Sequence, residues 1–203
     1  MKLTSSLPET VSALQGRSID AERLVALEPL VNYLRSKLAI DESVHLIFIC
    51  THNSRRSQFA QIWAQTAAHY HEIDARCFSG GIEVTSFDSR AITAIRNSGF
   101  DVSVAAGQNP MCLVSLSQDI PQIKTFSKLY DDAINPSDGF AAIMTCANAE
   151  ENCPFIQGAE QRISLPYEDP KVFDGTPKET SKYIERSLQI ASEMFYVFNK
   201  ARK

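Results

Sequence analysis

The residue pattern changes period abruptly at position 44, and that change is the strongest constraint on the fold. Val44-His45-Leu46-Ile47-Phe48-Ile49 is a short apolar run rich in residues that suit a buried strand. The run ends at Cys50 and passes through Thr51-His52-Asn53-Ser54-Arg55-Arg56-Ser57. A helical pattern then begins, with Phe59, Ile62, Trp63, Thr66, Ala67 and Tyr70 on one side. A buried strand that feeds a helix through a tight loop belongs to an α/β fold, and the loop sits where such folds bind anions.

The rest of the chain extends the alternation. A second strand is expected over Ile73–Phe78, ending in Ser79-Gly80-Gly81, and a helix over Ser86–Ser98 closed by Gly99. Cys112–Ser117 and Ile123–Leu129 read as a hairpin around Gln118-Asp119-Ile120-Pro121. Gly139–Thr145 is a buried strand and Gln161–Leu165 a shorter one. Thr176, Pro177 and Glu179 form a capping box ahead of a last helix, whose face carries Ile184, Leu188, Ala191, Phe195 and Phe198. The expected organisation is an N-terminal helical extension over 1–42 and a catalytic domain over 43–203, with a hairpin insertion near 108–135. Within the extension Asp20 is placed to cap a helix, and Pro29 is expected to kink or split it.

A formal net charge of −4 advertises no basic face, which argues against nucleic-acid or membrane-surface binding. Met1–Ser18 lacks the apolar run of a signal peptide, so the expectation is a cytoplasmic protein. In a reducing compartment five cysteines point to reactive or buried thiols rather than a disulfide framework.

In the loop, successive backbone N–H groups and the helix N-terminus make a positive cradle, and such a field favours the thiolate of Cys50. The guanidinium of Arg56 can grip two oxygens of a tetrahedral oxyanion. Ser57 can hydrogen-bond the sulfur, and Asn53 suits a left-handed backbone position. The plainer reading is a buried cysteine ending a strand, with Arg55 and Arg56 in solvent. The flanking strand and helix favour the oxyanion site.

The stretch Ile47–Trp63 resembles the phosphate loop of low-molecular-weight protein tyrosine phosphatases, and more closely that of their relatives, the thioredoxin-coupled arsenate reductases. The similarity runs over about 44–203, is interrupted near 105–135 and leaves 1–42 aside. It implies a three-layer sandwich around a central, mainly parallel four-stranded sheet. It also implies Cys50 as nucleophile, Arg56 as clamp, Thr51, His52, Ser54 and Arg55 as loop residues, and Asn53, Ser57 and Ser79 as its supports. His52 stands where the family usually has glycine, and Arg55 where it commonly has a second cysteine, which removes a neighbouring thiol and is expected to add positive charge at the site's mouth. Gln61 occupies a place where some reductases carry a glutamate near a supporting cation.

Asp169, in Glu168-Asp169-Pro170, resembles the family's Asp-Pro general acid, with Glu168 as the alternative. Cys146, ending a strand, and Cys153, before Pro154, resemble the redox pair of the reductases. Zinc would need two further ligands, and none stands at a telling spacing, so no metal is expected. Cys77 and Cys112 read as structural.

The resemblance implies reduction of arsenate to arsenite through Cys50, Cys146 and Cys153, with thioredoxin as electron donor and no tightly bound cofactor. The alternative is hydrolysis of phosphotyrosine or aryl phosphates through a phospho-cysteine. Reduction is favoured by the thiol pair and by Lys171-Val172-Phe173 after Asp-Pro, where the phosphatases usually have tyrosine. A third reading is an oxyanion-sensing or partner-binding module with 1–42 as docking surface.

Overall fold

The computed structural model describes residues 7–117, 120–153 and 155–202, so Gln118, Asp119 and Pro154 lie outside the described residues. Two helices, α1 (Leu7–Gln15) and α2 (Ala21–Leu38), precede the first strand, β1 (Val44–Cys50). Next come α3 (Arg56–Tyr70), β2 (Ala75–Gly81) and α4 (Ser89–Asn97), then three short strands, β3 (Asp101–Val104), β4 (Cys112–Ser115) and β5 (Ile123–Thr125). β6 (Phe140–Met144), α5 (Ala147–Asn152), β7 (Ala159–Ser164), a 3-10 turn at Pro170–Phe173 and α6 (Glu179–Ala201) follow.

The central sheet has four strands in the order β2-β1-β6-β7, all parallel, with helices on both faces. Its alternating side chains divide the core in two. Leu46 and Phe48 of β1 join a large cluster with Trp63 of α3, Met194 and Phe198 of α6, and Leu27, Leu30 and Leu34 of α2. Ile47 and Ile49 face a smaller cluster that holds Cys50, Phe140, Met144, Cys146 and Ile156. The α1 residues Leu7, Val11 and Leu14 belong to the large cluster, so the apolar faces of the N-terminal helices pack into the same core as the sheet. None of the described helices is long and apolar enough to cross a membrane.

Several elements differ from the sequence expectations, each for a physical reason. Helix α2 runs unbroken through Pro29, which lies on the exposed side, where the carbonyl that loses its partner can meet water. Asp20 precedes α2 but makes no side-chain cap. β2 continues through Gly80 and Gly81, which pair with Ile49 and Cys50 of β1, and neighbours crowd both positions so that only glycine fits. A Cβ on Gly80 would stand 2.3 Å from Tyr130 Cα, and one on Gly81 would stand 2.8 Å from Asn53 N.

The expected hairpin forms as β4 and β5, and β3 adds a third antiparallel strand. β5 stops at Thr125 because the next main-chain donors go elsewhere, Ser127 N–H to Asn109 Oδ1 and Lys128 N–H to Asn53 Oδ1. Helix α6 begins at Glu179 rather than at Pro177, and the Glu179 carboxylate accepts from the Gly175 N–H at 2.7 Å.

Candidate active site

β1 delivers Cys50 to the carboxyl end of the sheet, and α3 starts six residues later at Arg56. The carbonyls of the intervening loop are all tied outward. Thr51 O accepts from Ile82 and Glu83 N–H, His52 O from Ser127 Oγ, Asn53 O from Gln58 Nε2 and Ser54 O from Asp88 N–H. A trans peptide sets its N–H opposite its C=O, so the N–H groups of 52–55 turn to the concave side. This is an anion nest at a helix N-terminus.

Inside the nest, Cys50 Sγ lies 3.0 Å from Ser57 Oγ, and Asn53 Nδ2 donates to the same hydroxyl oxygen at 2.8 Å. Asn53 is fully buried and takes the left-handed conformation, at φ 46°. His52 is not among the described positive-φ residues, so the loop does not need the usual glycine there. His52 Nε2 instead meets the Glu83 carboxylate at 3.3 Å. Ser54 Oγ donates to Ser86 O at 2.7 Å. Ser79 is buried, but its hydroxyl donates to Gln61 Oε1 at 2.6 Å, so it steadies α3 rather than bonding the loop.

The two arginines diverge. Arg56 donates from Nη1 to Tyr167 O at 3.1 Å and from Nη2 to Asp169 Oδ2 at 2.8 Å, while its buried Nε has no partner among the described residues. That N–H is left for an oxyanion. Arg55, expected to add charge at the site's mouth, is buried and paired. Its Nε and Nη2 grip the two oxygens of Asp169 at 2.8 and 3.3 Å, and Nη1 reaches Asp88 Oδ2 at 3.3 Å. With the Lys171 N–H at 3.1 Å, the Asp169 carboxylate accepts from four donors. Burial pushes its pKa up, but Arg56 and Arg55 together outweigh burial and hold it below the usual carboxylate range. Glu168 points elsewhere, to Arg186 at 2.9 Å.

Cys146 follows β6, the strand beside β1, where the Thr145 N–H donates to Ile49 O at 2.7 Å. Its buried sulfur accepts from the Ala149 N–H at 3.3 Å, capping α5, and lies 3.5 Å from Thr51 Oγ1. Cys153 closes the other end of α5 and packs against the cluster that holds Cys50 and Cys146. Burial pushes its thiol pKa up, against a smaller downward pull from Arg162. All five cysteines are free, and burial pushes the Cys77 and Cys112 thiols up. Among the described residues no three His, Cys, Asp or Glu side chains gather to hold a metal.

Sequence reasoning missed Gln58, Tyr167, Ser127, Lys128 and Asp88. Lys128 is 2% exposed and presents its N–H to Asn53, and burial pulls its ammonium pKa down to about 8. Only Asp88 carried a local signal, as a cap before a helical run, and its bond to Arg55 had none.

No family model matches the chain. An arsenate reductase of Bacillus subtilis (strain 168) is 26% identical over 145 residues, covering 71% of this chain and 87% of that protein. An arsenate reductase of Staphylococcus aureus (strain Newman) is 27% identical over 150 residues, covering 74% and 94%. A solved structure of a YwlE mutant from Bacillus subtilis superposes with a TM-score of 0.52 at 12% identity, over 79% of this chain and 100% of that one. At that identity the likeness bears on the fold alone.

Proposed function

We propose that the chain is an enzyme of the low-molecular-weight protein tyrosine phosphatase superfamily, a reading supported by its 26% and 27% identity to arsenate reductases, and that it reduces arsenate to arsenite with thioredoxin as electron donor. The observation that carries this reading is the placement of three thiols. Cys50 ends β1, Cys146 follows the adjacent parallel strand β6 by two residues, the two share one buried cluster, and Cys153 packs against it.

The Cys50 thiolate attacks arsenic, an S–As bond forms, and one oxygen leaves as water. Cys146 then attacks Cys50 sulfur. The new S–S bond forms as the S–As bond breaks, and the electron pair stays on arsenic, which departs as arsenite. Cys153 attacks Cys146 and frees Cys50, and the thioredoxin dithiol reduces the resulting disulfide. Asn53 and Ser57 hold the Cys50 sulfur in place, the nest and Arg56 hold the oxyanion, and Asp169 orients both arginines.

The second disulfide requires movement. The six residues of helix α5 separate the two cysteines, a rise of about 10 Å over seven steps, beyond the roughly 7 Å that a disulfide can span. Helix α5 therefore has to unwind. Arg162 holds it shut, donating to the Glu150 carboxylate, to the Glu150 carbonyl and to Cys153 O.

Hydrolysis of aryl phosphates is the second reading, favoured by the Cys50–Ser57 contact, which serves a phospho-cysteine equally well. A turnover assay with arsenate and thioredoxin, run beside one with an aryl phosphate, decides between them. Arsenate-dependent oxidation of thioredoxin is expected, and hydrolysis without it overturns the reading.

A further inference from the structure

Arg55 lies in the oxyanion loop, yet all three of its nitrogens are taken by carboxylates. Two grip Asp169 and the third holds Asp88. Asp88 is fixed in turn, because its Oδ1 accepts from the Arg90 N–H at 2.8 Å and caps α4. The Arg55 side chain is 9% exposed, so little of it is open to water.

Arg56 also holds Asp169, through Nη2. An oxyanion in the loop competes for that nitrogen, since a guanidinium grips two oxygens only with one edge. Arg55 faces no such competition. Anchored at both ends, it keeps Asp169 as an acceptor after Arg56 turns to substrate.

We propose that Arg55 is the specificity-determining residue of the site, withholding Asp169 as a proton donor and so favouring oxyanions whose leaving oxygen already carries hydrogen over phosphate esters. The inference rests on Cys50 as the nucleophile of the proposed reductase and deepens that reading.

The chemistry separates the two substrate classes. In ester hydrolysis an S–P bond forms as the P–O bond to the aryl group breaks, and the departing aryl oxide needs a proton from the protein. Water then attacks phosphorus, the P–S bond breaks and the thiolate returns. Arsenate loses an As–OH oxygen as water, and a second As–OH of the same ion supplies the proton. An enzyme without a protonated acid retains the second reaction and is poor at the first. The groups around Asp169 are Arg55 of the loop, Arg56 of α3, Asp88 before α4 and the Lys171 N–H of the 3-10 turn, with Tyr183 of α6 behind Arg55.

The test measures phenyl phosphate against 4-nitrophenyl phosphate hydrolysis in the wild type, Arg55→Gln, Arg55→Lys, Asp169→Asn and Arg55→Gln/Asp169→Asn. Arg55→Gln should raise the ratio of the phenyl to the nitrophenyl rate by about 10²-fold. The gain should fade as pH rises through the restored titration of Asp169 and should vanish in the double variant. Arg55→Lys, a point charge without the fork, should give part of the gain, and Asp169→Asn alone, which loosens the arginines that Asp169 orients, should lower both rates together and give no gain in the ratio. Binding of inorganic phosphate by each variant shows that the loop is intact, and if Arg55→Gln fails to fold, Arg55→Lys carries the comparison. An unchanged ratio in a variant that binds phosphate, an equal gain in the double variant, a wild-type ratio that falls with Asp169→Asn, or no aryl hydrolysis in any variant overturns the inference. Arsenate-driven oxidation of the wild type is scored separately. Its failure sinks the proposed reductase, whereas a flat ratio beside intact arsenate reduction sinks only the role of Arg55.

Discussion

The hydroxyl of Thr51, the residue after the candidate nucleophile, stands 3.5 Å from the sulfur of Cys146. The candidate oxyanion loop and the segment after β6 that carries the second thiol are therefore in contact. Thr51 Oγ1 also donates to Asn148 Oδ1 at 3.0 Å, which ties the loop to α5.

Replacing Cys50 by serine should abolish both arsenate reduction and aryl phosphate hydrolysis while the protein keeps its fold. A serine hydroxyl in the same nest stays protonated and attacks poorly. Circular dichroism beside the two rate assays checks this, and substantial turnover by the variant would remove Cys50 from the mechanism.

The thiols should separate by role. With arsenate, Cys153→Ser should accumulate a Cys50–Cys146 disulfide, because the thiol that resolves it is gone. Cys146→Ser should stop reduction earlier and spare aryl phosphate hydrolysis, which needs only water to complete. Intact-mass and peptide mapping read both outcomes. In the oxidised wild type, backbone amides of 147–152 should lose hydrogen-exchange protection, since the Cys146–Cys153 bond cannot close over a formed helix.

Removing Arg23 should destabilise the protein by roughly 3 kcal/mol, because it leaves a buried carboxylate without its counter-charge, held only by the Tyr167 hydroxyl and the Gln189 amide. Glu193 is 1% exposed and accepts from Arg23 Nε and Nη2 at 3.0 and 2.6 Å and from the Tyr167 hydroxyl at 2.8 Å. Arg23→Ala/Glu193→Gln should recover part of the loss in urea titrations. A pair of additive single effects would show that the two residues act separately.

Lys128 gives a pH signature of defined sign. Its folded-state pKa of about 8 lies below the ordinary lysine value near 10.4. Below about pH 8 both states bind the proton and the folded state bears the full desolvation penalty. Between about 8 and 10.4 only the unfolded chain binds it, so stability rises with pH through that window. Lys128→Met should remove the rise and add about 3 kcal/mol near neutral pH. Parallel stability curves for the two proteins would refute this.

The sequence by itself determined what local pattern determines. The apolar run at 44–49, the six-residue spacing from Cys50 to Arg56 and the helical period from Phe59 placed an anion loop at the end of a strand, and the strand ending at Thr145 put Cys146 at the same end of the sheet. Periodicity and loop length are properties of neighbouring residues, so one chain is enough to read them. Tertiary structure alone decided how the charges in the site are used. Arg55 meets Asp169 across 114 residues and Arg23 meets Glu193 across 170, and no pattern in sequence announces either pair. Those meetings turned an arginine expected at the site's mouth into a buried clamp, a candidate acid into a four-fold acceptor, and the N-terminal helices into part of the core that positions Tyr167 beneath Arg56. The physical reason is that an ion pair's partner is set by where the packed elements bring side chains together, and by what burial then leaves each charge to bind.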